Sequence, residues 1–136
     1  MAIPIIIDTD PGIDDAVAIM LAAASPELRI LGITTVAGNT GLENTSANAA
    51  ALADLLGLEV PIGKGAAMPL WRRDTAPNVD VHGANGLGGV RLPASQRPLE
   101  PALPLLVRLI EESPEPVTVI PIGPLTNIAL LMTSHP

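Results

Sequence analysis

The chain has 136 residues, 48% of them hydrophobic and 15% charged, which suits one small domain with a buried core and excludes a disordered tail. Seven basic against fourteen acidic residues give a formal charge of -7, which argues against nucleic acid as a partner, since a phosphate backbone needs a basic face. The absence of cysteine excludes disulfides, zinc–thiolate sites and thiol nucleophiles.

Apolar runs such as Ala16–Ala24 fall far short of the ~20 residues that span a bilayer, so no membrane partner is expected. No basic n-region with an apolar stretch behind it opens the sequence, and a soluble cytoplasmic protein is the default expectation. With no Phe, no Tyr and one Trp, the core has to be built from Ile, Leu, Val, Ala and Met.

In chain order, Ile3–Ile7 is a short Ile-rich run that reads as a parallel strand buried on both faces. The turn cluster Asp8-Thr9-Asp10-Pro11-Gly12 follows. Asp14 and Asp15 open a helix to about Ala24, apolar nearly all round and therefore expected to be buried. Leu28–Val36 reads as a second strand, ending at Ala37-Gly38-Asn39. A second helix is predicted over 42–56, with Gly57 at its C′ position. Val60–Ile62 reads as a third strand. Residues 63–98, dense in Gly and Pro, read as one long irregular loop of the kind that often serves function. Leu103, Leu106, Val107 and Ile110 form the apolar stripe of a third helix. Val117–Ile122 reads as a fourth strand, and Gly123-Pro124-Leu125-Thr126-Asn127 starts a fourth helix. The alternation predicts an α/β fold, a mostly parallel sheet with helices on both faces.

In such sheets ligands bind beyond the carboxyl ends of the strands. There the sequence places Asp8, Asp10, Asp14 and Asp15, then Asn39, then His82 and Asn85 in the long loop, then Thr126 and Asn127. Four Asp residues between positions 8 and 15 repel one another unless something compensates. Either Asp8 and Asp14 cap the turn and the helix while the others meet solvent, or the cluster holds a hard cation such as Ca²⁺ or Mg²⁺. It is not an EF-hand, because Gly12 and Ile19 stand at the fifth and twelfth positions counted from Asp8.

Asp8-Thr9-Asp10-Pro11-Gly12-Ile13-Asp14-Asp15-Ala16, at the end of an apolar strand, resembles the signature of the inosine–uridine-preferring nucleoside hydrolases. Val36-Ala37-Gly38-Asn39, Val81-His82-Gly83-Ala84-Asn85-Gly86-Leu87 and Ile122-Gly123-Pro124-Leu125-Thr126-Asn127-Ile128-Ala129 resemble three further motifs of that family, in the same order. The resemblance implies a Rossmann-like nucleoside hydrolase fold and cleavage of the N-glycosidic bond of ribonucleosides to ribose and free base, with one bound Ca²⁺. It implies Asp10, Asp15 and the Thr126 carbonyl as calcium ligands, and Asp10 as general base. Asp14 would hold a ribose hydroxyl, Asn39 would orient water or sugar, and His82 would lie beside the leaving base.

Family members are much longer, so the chain reads as the N-terminal part of one nucleoside hydrolase domain, incomplete and a poor enzyme alone. A homo-oligomer (dimer or tetramer) or a complementary C-terminal chain is the implied partner. Two other readings stand beside this one. A non-enzymatic fragment would bind calcium or nucleoside weakly. A haloacid-dehalogenase-type phosphotransferase would use Asp8 as nucleophile, from the strand-Asp-x-Asp pattern. Among the remaining residues, Asp8 reads as structural, Asn39 and Asn127 as possible helix caps, and His135 as a solvent residue. Trp71 is the one aromatic able to stack on a base, and reads equally as packing under the long loop. Met20, Met68 and Met132 read as core or loop fillers, and Lys64 is not part of a Walker loop.

Overall fold

The computed structural model describes residues 2–71 and 79–136. Its elements run β1 (Ile3–Thr9), α1 (Ile13–Ala24), β2 (Leu28–Thr35), α2 (Leu42–Leu55), β3 (Ile62–Lys64), α3 (Val79–His82), β4 (Leu99–Pro101), α4 (Ala102–Glu111), β5 (Thr118–Pro121) and α5 (Thr126–Ser134). The strands form one sheet in the order β4-β3-β2-β1-β5, and all four pairings are parallel. From β1 the chain works outward through β2 and β3 to β4, then crosses back to place β5 on the other side of β1. The switch in direction lies between β1 and β5, where an open α/β sheet leaves a crevice beyond its strand ends.

Side chains of β1 alternate between two cores. Ile5 and Ile7 join Ala16, Ile19 and Ala22 of α1, Ala49, Leu52 and Ala53 of α2, Ile33 and Ile62. On the opposite face α4 lies over β2 and β3, and only glycine gives it room: a Cβ on Gly32 would meet Leu109 at 2.6 Å, and one on Gly63 would meet the Ala102 backbone at 2.9 Å. Helices thus cover both faces. At the end of α2, Gly57 takes φ +64°, its N–H donates to Asp54 O, and the Leu58 N–H donates to Ala53 O. That is the C-terminal motif expected of a glycine at this position.

Several expectations need correction. The third strand is Ile62–Lys64, not Val60–Ile62, because Pro61 has no N–H for the ladder and the Val60 carbonyl is taken by Arg97. The stretch 63–98 begins inside that strand and holds α3, and β4 follows directly after it as a fifth strand. α1 is not buried all round. Asp15, Ala16, Ile19 and Ala22 face inward, while Val17 and Leu21 are 60% and 68% exposed, because the sheet covers one side of it. In α4 the inward face is Ala102, Leu105 and Leu106, so of the expected stripe only Leu106 is fully buried and Ile110 faces out. Of the methionines read as core or loop fillers, Met20 and Met132 are exposed on helices rather than in the core, and Met68 lies exposed in the loop.

Candidate active site

Asp8 and Thr9 close β1 on opposite faces of the sheet, and the turn after them carries the remaining acids. Asp15 sits in the first turn of α1, where its Oδ2 accepts the Gly12 N–H at 3.0 Å. This is the cap that the sequence reading gave to Asp14; a carboxylate at the third helical position is the one that reaches back. The Asp15 Oδ1 accepts the Thr9 hydroxyl at 2.7 Å. Asn39, beyond β2, joins the two buried acids: its backbone N–H donates to Asp10 Oδ2 at 2.6 Å and its side-chain amide donates to Asp15 Oδ2 at 3.0 Å and to Asp10 O at 3.1 Å. Asn39 is therefore no helix cap; Gly41 occupies that position on α2.

Glycines shape the cradle around Asp10. A Cβ on Gly38 would overlap the Asp10 carboxylate, one on Gly123 would stand 2.8 Å from its Oδ1, and one on Gly12 would stand 2.6 Å from both the Asn39 amide and the His82 ring. Burial raises the Asp10 carboxyl to about 6; the Asn39 N–H opposes the rise, and the charges of Asp15 and Asp14 add to it. Among the described residues no Lys or Arg pairs with Asp10 or Asp15. Asp14 stands at the mouth, its side chain 83% exposed. His82 is buried; its Nδ1 accepts the Ile13 N–H at 3.2 Å and lies 3.8 Å from Asp14 Oδ1.

Below this rim lies a second polar layer. Asp8 is fully buried, its Oδ1 accepting the Thr34 hydroxyl at 2.6 Å and the Asn127 amide at 2.8 Å, while its Oδ2 has no partner among the described residues. Burial pushes its carboxyl above the usual range, opposed by those two bonds. Asn127 also donates to Thr35 O at 2.9 Å and accepts the Ala66 N–H at 2.9 Å. It is a hook fastening α5 to β1, β2 and the chain after β3, not a cap. Thr126, beside it, is buried at the start of α5.

The fold therefore brings Asp10, Asp14, Asp15, Asn39 and His82 to one rim by direct contacts. Thr126 reaches the same end of the sheet through β5. Trp71 is 94% exposed, and His135 is exposed at the far end of α5. Three contributors were not singled out in the sequence: Thr9 and Gly38, which hold or make room for the carboxylates, and Asn48. Thr9 and Gly38 lie inside the quoted motifs, but their parts appear only in the fold, where Thr9 donates to Asp15 and Gly38 leaves room for the Asp10 carboxylate; Asn48 lies outside every motif and donates to Pro11 O and Asn85 O.

The model for inosine-uridine preferring nucleoside hydrolases matches residues 5–136. The chain belongs to the inosine-uridine preferring nucleoside hydrolase family. It is 48% identical over 140 residues to the non-specific ribonucleoside hydrolase RihC of Klebsiella pneumoniae, covering 100% of this chain and 45% of that protein. It is 47% identical over 138 residues to the pyrimidine-specific ribonucleoside hydrolase RihA of Photobacterium profundum, covering 99% of this chain and 44% of that one. Among solved structures it superimposes on a purine-preferring ribonucleoside hydrolase from Gardnerella vaginalis with a TM-score of 0.90 and 34% identity, over 97% of this chain and 44% of that one. The nucleoside hydrolase chain thus spans under half the length of these relatives. Among its described residues no helix is long and apolar enough to cross a membrane.

Proposed function

We propose that this chain carries the acidic half of a ribonucleoside hydrolase site, cleaving the N-glycosidic bond to give ribose and free base. The observation that carries the reading is the pair of buried carboxylates, Asp10 and Asp15, joined by one asparagine with no Lys or Arg against them among the described residues. Family membership and relatives named as ribonucleoside hydrolases support it.

Asp10 and Asp15 fit a hard divalent cation. A carboxylate has about four lone-pair sites. Among the described residues Asp10 accepts one side-chain or backbone hydrogen bond and Asp15 accepts three, which leaves oxygen valence for an ion. Ca²⁺ is the ion proposed, with the Thr126 carbonyl as a third contact. No three His, Cys, Asp or Glu side chains among the described residues gather closely enough to hold it unaided, and the Thr126 carbonyl enters the set from the family resemblance. Held there by Asp10 and Asp15, the ion would supply an acidified, fixed water.

The residues of the chain do the rest. Asp10, buried and held by the Asn39 N–H, is the carboxylate placed to take a proton from the attacking water. Asn39 keeps both carboxylates aimed into the cleft. Asp14, at the open mouth, accepts a hydrogen bond from a ribose hydroxyl. His82 stands over the same mouth and lies beside the departing base. The carboxylates around the sugar stabilise the positive charge of an oxocarbenium-like transition state. Use of Asp8 as a phosphoryl acceptor is disfavoured, because its carboxyl is buried and fastened below the rim.

The test is release of reducing sugar from uridine and from inosine, with Ca²⁺ and then with a strong chelator. Chelator-sensitive release that Asp10→Ala abolishes is the expected result. Calcium or nucleoside binding without turnover would instead favour the non-enzymatic reading. Homo-oligomerisation or a complementary chain supplying the rest of the site is part of the same proposal, and sedimentation of the active species would measure it.

A further inference from the structure

The loop after α3 is tied to the acidic turn at two points, and one of the ties is a residue outside every motif. Asn48 lies on α2, and its side-chain amide donates to Asn85 O at 2.8 Å and to Pro11 O at 3.3 Å. It therefore bridges the His82 loop and the turn between Asp10 and Asp15. Asn44 and Leu52 share its face of the helix at four-residue spacing. The Asn44 amide donates to Ala84 O at 3.2 Å, and Leu52 is buried in the core cluster that includes Leu87. The three side chains form one seat for residues 84–87.

Gly86 fits between the partners of this clasp. A Cβ there would meet the Asn48 amide at 3.0 Å and Pro11 O at 3.1 Å, and its φ of +84° suits glycine alone. The second tie is His82, whose Nδ1 accepts the Ile13 N–H. An accepting Nδ1 leaves the ring proton of the neutral imidazole on Nε2. The loop's own bonds then run from His82 outward, with the Gly88 N–H on His82 O at 2.8 Å.

We propose that Asn48 is a positioning residue, clasping the loop to the Pro11 turn so that His82 keeps its ring on the Ile13 amide beside the carboxylates. The inference deepens the reading of the site as a hydrolase centre and rests on it for the catalytic consequence, while the clasp itself is read without turnover.

The experiment is long-range proton–nitrogen correlation on the histidine rings of the full chain, with amide exchange measured alongside. In the unmodified protein His82 shows an unprotonated Nδ1 and a protonated Nε2; the opposite tautomer overturns the proposal before any variant is made. In Asn48→Ala the His82 ring loses that fixed signature, and the Gly88 and Leu87 amides exchange roughly tenfold faster. The Ile7 and Ile33 amides stay protected. An unchanged His82 signature in Asn48→Ala overturns the proposal. Gly86→Ala pushes the same clasp open from the other side and gives the same readout should Asn48→Ala fail to fold. Where the unmodified chain releases ribose, Asn48→Ala lowers kcat more than it raises KM. A chain that never releases ribose, yet shows the ring and exchange changes, keeps the clasp and overturns only turnover by this chain alone.

Discussion

Replacing Asp10 with Asn is expected to stabilise the metal-free chain, and to do so only above acidic pH. The Asp10 carboxyl stands at about 6 in the folded chain against 3.8 for the free group, chiefly because it is buried. Its folded value is raised, so its contribution to stability is fully present below pH 4 and is lost as the pH rises through 6. The separation is about two units, or roughly 3 kcal/mol as a ceiling at 1.36 kcal/mol per unit. Asn39 can still donate its N–H to the amide oxygen of Asn at position 10, so the substitution removes the charge and keeps the contact. Urea denaturation in a chelator at pH 4, 6 and 8 measures it. The difference between variant and parent should grow from near zero at pH 4 to about 2–3 kcal/mol at pH 8 in favour of the variant. Asp8 is also raised, but it is present in both chains and cancels in the difference. A variant that is less stable than the parent at pH 8, or a difference that does not change with pH, refutes the burial argument.

Three other outcomes follow from the geometry. Adding Ca²⁺ to the parent chain should raise its melting temperature, and the rise should be lost in Asp10→Asn, which lacks the charge; calorimetry in matched buffers checks this. Asn127→Ala removes three hydrogen bonds from the buried layer and leaves the Ala66 N–H without its acceptor, while Asp8 Oδ1 keeps the Thr34 hydroxyl and Thr35 O keeps the Gly65 N–H; it should cost about 1–3 kcal/mol in denaturant unfolding. Leu106→Ala opens a cavity beneath α4 and should cost about 2–5 kcal/mol, whereas Val17→Ala, on the exposed side of α1, should change stability by no more than about 0.5 kcal/mol.

Most of the architecture could be read from periodicity and punctuation. The Ile run of β1 and the Gly57 stop of α2 announce their roles locally, and the alternation of elements gives the parallel sheet. β4 could not be read this way, because Leu99–Pro101 is three residues that follow Pro98 and end on a proline, and it is a strand only by pairing with β3. The buried side of α1 was likewise hidden: Val17 and Leu21 are as apolar as Ile19, and only the position of the sheet decides between them.

At the site, the Asp cluster, Asn39 and His82 were legible as a group because they follow strands that share one rim. Their division of labour was not. Asp15, not Asp14, caps α1, and that follows from the direction in which each side chain leaves the first turn. Asn127 looked like a cap from its place at a helix start, yet the groups it satisfies belong to Asp8, Thr35 and Ala66, far away in sequence.

The glycines of the His82 loop set a limit on how this region can vary. Gly83, Gly86, Gly88 and Gly89 all have positive φ, so four of the seven positions from 83 to 89 admit a side chain only with strain. Two of the other three are committed to the loop's interior. Asn85 accepts the Leu87 and Gly89 amides and donates to Val90 O, and Leu87 is buried in the core. Ala84 remains, exposed and held through its carbonyl alone. Drift in this segment is therefore funnelled through one residue. New chemistry can be grafted onto the loop at Ala84 without redrawing its path, and diversification of the segment should appear there before anywhere else along it.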